Sequence, residues 1–234
     1  MTLEFLSDTE LYYITSDQVQ NEKIVLIGEE FFHAFKVMRN NPSGNLFVTD
    51  GKGKIYNTII ELVQKDKAVL KILNQQSYER ELQNVSFCIP KLRNPDRLRF
   101  ALEKCTELGI SDFIIFDSDY SILKSDKTEK WKSYLIGAMK QSLRAYLPEL
   151  KTGINIEQLI KMNGEKIVLD QKAELHFNTF RLAKDKFYFF IFGPEGGFSE
   201  RESKMFEKQN IYKLSDYRLR SETAIIKCAS ILTF

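Results

Sequence analysis

The feature that most constrains the fold is a change of pattern near Asn84. Residues 1–75 contain short β-rich runs separated by turns, and one stretch among them has apolar residues at helical spacing. From Asn84 onward, buried-type strands alternate with helices. This alternation is typical of an α/β domain with a largely parallel sheet. The sequence therefore predicts a small β-rich, barrel-like domain over 1–75 and an α/β domain over 76–234.

In the N-terminal domain, turn residues separate the predicted elements. A hairpin tip is predicted at 51–54, a second hairpin turn at 65–67, and a polar linker at 75–83. Apolar residues at helical spacing predict a helix over 29–38. The predicted strands are 11–14, 24–27, 46–48, 55–62 and 68–73.

In the C-terminal domain, capping residues mark the helix ends. Asn94 can cap a helix that begins at Pro95, and Gly109 is a suitable stop for it. Ser199 with Glu202 three residues later is a capping box. Further helices are predicted over 127–146 and from Ser221, and the predicted strands are 85–89, 113–116, 167–169 and 187–192.

Composition indicates a globular protein of the cell interior. The chain is 43% hydrophobic and 28% charged, and no apolar run is long enough to span a bilayer. Its first residues lack a secretory signal. Three widely spaced cysteines predict reduced core thiols, and the scarcity of histidine argues against a metal site. We therefore expect a cytoplasmic protein without a metal.

The clearest chemical signal is the segment 192–199, in which a buried strand leads into a loop with three glycines and then a capped helix. Glycines let backbone groups approach a ligand closely. From composition alone, an ordinary strand-to-helix turn explains the segment equally well. No P-loop or dinucleotide-binding spacing occurs in the chain, which argues against a nucleotide hydrolase.

Basic residues form three further candidate sites. Arg218 and Arg220 precede a predicted helix and suit a phosphate or a polar pocket. The segment 91–104 carries five basic residues against two acids, which suits an RNA backbone. Gln141 and Arg144 share a helix face. Solvated surface charge is the alternative for each. The net charge of +2 gives only a weak global field, so RNA binding would depend on local patches.

Several collinear motifs together resemble the RsmE family, bacterial methyltransferases within the SPOUT superfamily that modify N3 of a uridine in small-subunit ribosomal RNA. The resemblance spans nearly the whole chain. It differs at Ser215, Tyr217, Arg218 and Ser221, where the family usually has other residues. The matching motifs are residues 33–39, Gly44, 50–53, Lys91, 104–109, 141–144, Pro148, 193–199, Glu202 and 219–224.

The resemblance implies a PUA-like β-barrel over 1–75, which binds RNA, and a SPOUT methyltransferase domain over 76–234 with a deep trefoil knot, a rare topology that periodicity does not reveal. It also implies a homodimer that binds S-adenosylmethionine through the knot loops, 169–170, 192–197 and 214–220. The cofactor-binding residues implied are Leu169, Phe192, Gly193, Glu195, Gly196, Gly197, Leu214, Ser215 and Leu219.

For catalysis we predict that Arg220 orients the base or stabilises negative charge on its carbonyls. Glu195 and Glu222 are weaker candidates for proton handling, and no residue stands out as general base. The predicted substrate is 16S ribosomal RNA or the assembled small subunit. The residues predicted to contact RNA are Arg39, Lys91, Arg93, Arg97, Lys104 and Arg144.

Two alternatives remain open at this point. The first is a ribose 2′-O RNA methyltransferase of the same superfamily, and mapping the methylated atom would distinguish it from a uridine-N3 methyltransferase. The second is a non-catalytic RNA-binding protein. Such a protein should not bind S-adenosylmethionine, so a binding measurement would distinguish it from a methyltransferase.

Overall fold

The computed structural model describes residues 9–41, 43–121 and 125–233. Backbone contacts divide the chain into two units. The first comprises Met1–Arg80 with Ile136–Leu147, and the second comprises Glu81–Leu135 with Pro148–Phe234. Within the described ranges, no helix is long and apolar enough to cross a membrane.

The first unit is built on a six-stranded sheet with the order β1-β4-β5-β6-β3-β2. Helix α1 (Gly28–Phe32) continues into a π-helical stretch, His33–Val37, so the helix predicted over 29–38 is confirmed. The strands are β1 (Leu11–Tyr13), β2 (Val19–Gln20), β3 (Lys23–Ile27), β4 (Asn45–Thr49), β5 (Lys54–Val63) and β6 (Lys67–Ser77).

Alternation of buried and exposed positions places one face of this sheet in the core. In β3, Ile24 and Leu26 are fully buried, whereas Lys23 and Ile27 at the two ends are exposed. All five predicted strands are confirmed. β6 continues to Ser77, into the stretch predicted as a linker, because residues as far as Ser77 pair with β5.

The hairpin tip between β4 and β5 packs against the segment 136–147 of the same unit. Gly53 has φ +101° and donates its N–H to the Ala145 carbonyl at 2.9 Å. A Cβ at Gly53 would collide with the Tyr146 ring, so a side chain is excluded there. Ala145 also joins a buried cluster with Leu11 and Ile55.

The second unit is built on a seven-stranded sheet with the order β11-β13-β10-β12-β7-β8-β9, in which every pairing is parallel. The predicted α/β class with a parallel sheet is therefore confirmed. The strands are β7 (Val85–Pro90), β8 (Asp112–Asp117), β9 (Glu149–Asn155), β10 (Glu165–Leu169), β11 (Leu175–His176), β12 (Tyr188–Phe192) and β13 (Asn210–Lys213). The helices are α2 (Pro95–Glu107), α4 (Ile156–Lys161), α5 (Glu200–Met205) and α6 (Ser221–Leu232). Helix α3 (Thr128–Gln141) begins in the second unit, and its residues from Ile136 onward belong to the first.

The central strands are buried on both faces, as is usual in parallel sheets. Every residue of β7 and of β12 is buried. Helix α2 contributes the apolar face predicted for it, with Leu98, Ala101 and Cys105 fully buried. The thiols of all three cysteines are buried and free.

The caps predicted from sequence are confirmed. Asn94 accepts a hydrogen bond from the Asp96 N–H at 2.8 Å. Gly109 has φ +100° and ends α2 with the paired hydrogen bonds of a Schellman motif. Helix α3 is shorter than the predicted 127–146, because Leu143 adopts φ +57° and forms the same motif after Gln141.

Candidate cofactor and substrate site

Three strand ends meet at one edge of the parallel sheet. Leu169, the last residue of β10, lies opposite Phe192 at the end of β12 on one side and opposite Tyr212 of β13 on the other. Because these strands are parallel neighbours, the segments that follow them leave from the same edge. The structure therefore brings together the starting points of the three segments predicted to bind a cofactor.

The glycine-rich loop after β12 is shaped by its own residues. Gly197 has φ +76° and donates its N–H to the Pro194 carbonyl at 2.9 Å, which closes a turn. A Cβ at Gly193 would lie 3.3 Å from the Phe198 ring. Gly196 and Gly197 are exposed, so their backbone groups are accessible to a ligand.

The carboxylate of Glu195 is engaged within the protein. It accepts hydrogen bonds from the Arg93 backbone N–H, at 3.1 Å and 3.4 Å to its two oxygens. This contact joins the loop after β7 to the glycine-rich loop.

Glu202 anchors the other end of the glycine-rich loop. Its Oε2 accepts a hydrogen bond from the Ser199 N–H at 2.8 Å, as the capping box predicts. Its Oε1 accepts hydrogen bonds from Ser118 Oγ at 2.8 Å and from the Asp119 N–H at 2.9 Å. Glu202 is fully buried. Sequence reasoning identified the cap but missed Ser118 and Asp119, since no local pattern links residues so far apart.

A surface ion cluster lies beside this anchor. Arg201 pairs with both Asp119 and Glu157. The hydrogen bond from Arg201, and then that from Ser199, lowers the pKa of Asp119. The hydrogen bonds to Asp119 and Glu157 raise the pKa of Arg201 above its usual value. The cluster therefore stays ionised and holds the segment after β8 against the start of α5.

The segment 214–220 is held by polar contacts around Ser215. Gln171 Nε2 donates to the Ser215 carbonyl at 2.9 Å, and the Ser215 hydroxyl accepts from the Tyr217 N–H at 3.1 Å. Asp216 pairs with Lys213 at 2.9 Å, and this hydrogen bond is the main cause of its lowered pKa. Leu214 and Leu219 are half-buried.

The start of α6 carries an exposed arginine and a buried glutamate. Arg220 is the N-cap residue, and no described residue forms an ion pair with it. Glu222, in the first turn, is 9% exposed. Its Oε1 lies 3.5 Å from Arg97 Nε, whereas its Oε2 is buried without a hydrogen-bond donor among the described residues.

Lys91, predicted to contact RNA, is buried in the structure. Its Nζ lies 2.8 Å from Asp117 Oδ1 and 2.8 Å from Asp126 Oδ1. Burial alone would lower the pKa of Lys91, but the hydrogen bonds with the two aspartates outweigh it and raise the pKa. The ammonium is therefore engaged within the protein.

The other residues predicted to contact RNA are more accessible. Arg93 is exposed, Arg97 is half-exposed beside Glu222, and Lys104 pairs with Glu107 at 2.7 Å. Arg39 is exposed, and Arg144 is partly exposed; both belong to the first unit. No group of three or more His, Cys, Asp or Glu in the described parts of the chain is arranged to hold a metal.

The fold and the site define an α/β protein whose candidate ligand loops lie at the carboxyl edge of a parallel sheet. A model of the RNA methyltransferase domain matches residues 79–233, and a model of the RNA methyltransferase PUA domain matches residues 26–73. The first match covers more than half of the chain, so the chain belongs to the RNA methyltransferase family, and its N-terminal unit is PUA-like.

Similar proteins support this family assignment. The Ribosomal RNA small subunit methyltransferase E of Aquifex aeolicus is 29% identical, over 95% of this chain and 99% of the relative. The protein of the same name from Bacillus subtilis is 27% identical, over 94% of each chain. The crystal structure of a Ribosomal RNA small subunit methyltransferase E from Neisseria gonorrhoeae bound to S-adenosyl methionine shares the fold, with a TM-score of 0.85, 24% identity and 96% of both chains covered.

Proposed function

We propose that this protein transfers a methyl group from S-adenosylmethionine to N3 of a uridine in 16S ribosomal RNA of the small subunit. The observation that carries the proposal is the pairing of Leu169 with both Phe192 and Tyr212, from which three candidate cofactor loops leave one sheet edge. Family membership and the names of the relatives support the reaction class and the RNA substrate.

The residues at this edge suit S-adenosylmethionine. Leu214 and Leu219 are half-buried and offer apolar surface for an adenine ring, and the exposed glycines offer backbone groups for its polar edge. The Neisseria protein of the same fold binds this molecule. We propose the cofactor contacts predicted from sequence, namely Leu169, Phe192, Gly193, Glu195, Gly196, Gly197, Leu214, Ser215 and Leu219.

When bound, the cofactor supplies an electrophilic methyl group. The protein must hold the uridine so that N3 faces that group, and N3 lies on the Watson–Crick edge, so the base must be unpaired or splayed out. Arg220 is exposed at the N-cap of α6, two residues from the buried Glu222. Its guanidinium is suited to hold the base carbonyls and stabilise the negative charge that develops on them.

We also propose the organisation implied by the RsmE resemblance. Residues 1–75 bind RNA and residues 76–234 carry the methyl transfer; the matches to a PUA domain over 26–73 and to a methyltransferase domain over 79–233 support these two roles. The protein acts as a homodimer in the cytoplasm. We propose a deep trefoil knot in the second of these regions, as the RsmE resemblance implies.

For RNA contact we propose Arg39, Arg93, Arg97, Lys104 and Arg144, five of the six residues predicted from sequence. The exposed arginines are suited to touch phosphates directly. Lys91 is buried between two carboxylates, so its contribution would be to hold the loop after β7 in place.

The test is methyl transfer from labelled S-adenosylmethionine to small ribosomal subunits that lack this modification. Digestion and mass spectrometry then locate the label. We expect one methyl group on N3 of a single uridine. A methyl group on a ribose 2′-oxygen would indicate the related 2′-O activity, and failure to bind the cofactor in a titration would refute the enzyme assignment.

A further inference from the structure

We propose that Glu222 is the general base of the reaction, with Oε2 accepting the N3 proton of the uridine. This inference rests on the proposed function. The chemistry requires such a group, because an imide nitrogen must lose its proton before or during attack on a methyl carbon.

The Glu222 carboxylate is only partly satisfied within the protein. Oε1 lies 3.5 Å from Arg97 Nε, and Oε2 is buried with no donor among the residues described. A buried oxygen without a partner costs free energy, and native proteins rarely keep one. An N–H group of a bound ligand would supply the missing donor.

The carboxylate of Glu222 differs from those of Glu195 and Glu202, which lie at the two ends of the glycine-rich loop. Both oxygens of Glu195 accept from the Arg93 N–H, and the oxygens of Glu202 accept three hydrogen bonds from the protein. Among these three carboxylates, that of Glu222 alone keeps an oxygen without a protein donor.

The position of Glu222 in the chain also fits this role. Glu222 lies in the first turn of a 12-residue helix, and Arg97 Nε lies 3.5 Å from its Oε1. The ionised carboxylate is an acceptor only, as a base must be. Glu222 also directly follows the segment 214–220, which we propose for the cofactor, and it lies two residues after Arg220.

The N3–H bond breaks and the proton passes to Glu222 Oε2. The freed lone pair forms the N3–carbon bond while the carbon–sulfur bond breaks and its electron pair stays on sulfur. The sulfonium charge is thereby lost, and Glu222 later releases the proton to water.

The first experiment compares Glu222→Gln with wild type in single-turnover methyl transfer. The amide keeps the size of the side chain but cannot take the proton, so we expect a rate lower by about 10²–10⁴-fold. Calorimetric titration should show unchanged binding of S-adenosylmethionine, and Glu222→Asp should retain more of the rate than Glu222→Gln. The control is Glu129→Gln, an exposed glutamate in the first turn of α3, which should leave the rate unchanged.

The second experiment uses subunits reconstituted with RNA that contains 5-fluorouridine. Fluorine withdraws electrons and makes N3 more acidic, so the need for a base falls. We expect this substrate to raise the rate of Glu222→Gln relative to wild type.

Wild-type rates in Glu222→Gln would overturn the proposed role of Glu222 but not the proposed function. Equal losses of rate in Glu222→Gln and Glu222→Asp, with no rescue by 5-fluorouridine, would do the same. A wild-type protein that methylates no uridine N3 would instead overturn the proposed function.

Discussion

Glu202 Oε1 accepts a 2.8 Å hydrogen bond from Ser118 Oγ, although the two residues are 84 positions apart in the chain. The same carboxylate caps α5 through the Ser199 N–H. One buried side chain therefore joins the segment after β8 to the end of the glycine-rich loop. Tyr120, in that segment, lies against the loop, since a Cβ at Gly196 would lie 3.4 Å from its ring.

Replacing Glu202 by Gln should destabilise the protein. The amide places a donor where the carboxylate accepts three hydrogen bonds, and an unsatisfied buried donor costs about 1–3 kcal/mol. Urea denaturation measures the free energy of unfolding. Glu200→Gln, at an exposed position of the same helix, should change it by less than about 0.5 kcal/mol. Equal effects of the two substitutions would contradict the anchoring role.

Replacing Lys91 by Met should also destabilise the protein. The aliphatic stem is kept, but Asp117 and Asp126 lose the ammonium that lies 2.8 Å from each. We expect a loss of roughly 1–3 kcal/mol, less than for a fully buried ion pair, because water reaches both carboxylates. Lys104→Met removes an exposed pair with Glu107 and should cost about 0.5 kcal/mol or less.

The stability contributed by Lys91 with Asp117 and Asp126 should fall at alkaline pH. The pKa of Lys91 is raised in the folded state. Its contribution to the free energy of unfolding is therefore fully present below the unfolded-state pKa of about 10.4, and it is lost as pH rises through the folded-state pKa. The difference in unfolding free energy between wild type and Lys91→Met should therefore stay constant from about pH 7 to 9 and shrink above about pH 10. A difference that grows at alkaline pH would show that the ion pair is not its source.

Two glycine substitutions should have opposite effects. Gly197 has φ +76°, so Gly197→Ala should cost about 1–2 kcal/mol although no described atom would contact the new Cβ. Gly137 lies within α3 with similar open space, and Gly137→Ala should stabilise the protein by about 0.5–1 kcal/mol. Thermal unfolding of the two variants gives the comparison. A stabilising Gly197→Ala would show that the loop tolerates a different backbone conformation.

Arg220→Ala should lower the rate of methyl transfer by about 10²–10³-fold, the usual loss when a group that stabilises developing charge is removed. The affinity for S-adenosylmethionine should not change. Arg181→Ala, at an exposed position outside the proposed cofactor and RNA contacts, serves as the control and should retain activity. Near-normal turnover by Arg220→Ala would remove this residue from the proposed active site.

Local signals predicted many elements well, because caps and burial patterns depend on neighbouring residues. Asn94, Gly109 and the Ser199–Glu202 pair end or begin helices as predicted. Strand β9 and helix α4 were missed, since β9 lies at the sheet edge with alternating burial and α4 has only six residues. The end of α3 was misplaced because Leu143 takes a conformation that glycine usually adopts.

The sequence by itself determined the two domain types, most strands and helices, and the loops that were candidates for ligand binding. Only the tertiary structure decided which strand ends lie side by side, that Lys91 is buried between Asp117 and Asp126, and that Glu222 keeps an oxygen without a protein donor. The physical reason is range: caps and periodicity act over a few residues, whereas strand order and the pairing of buried charges depend on contacts between residues distant in the chain.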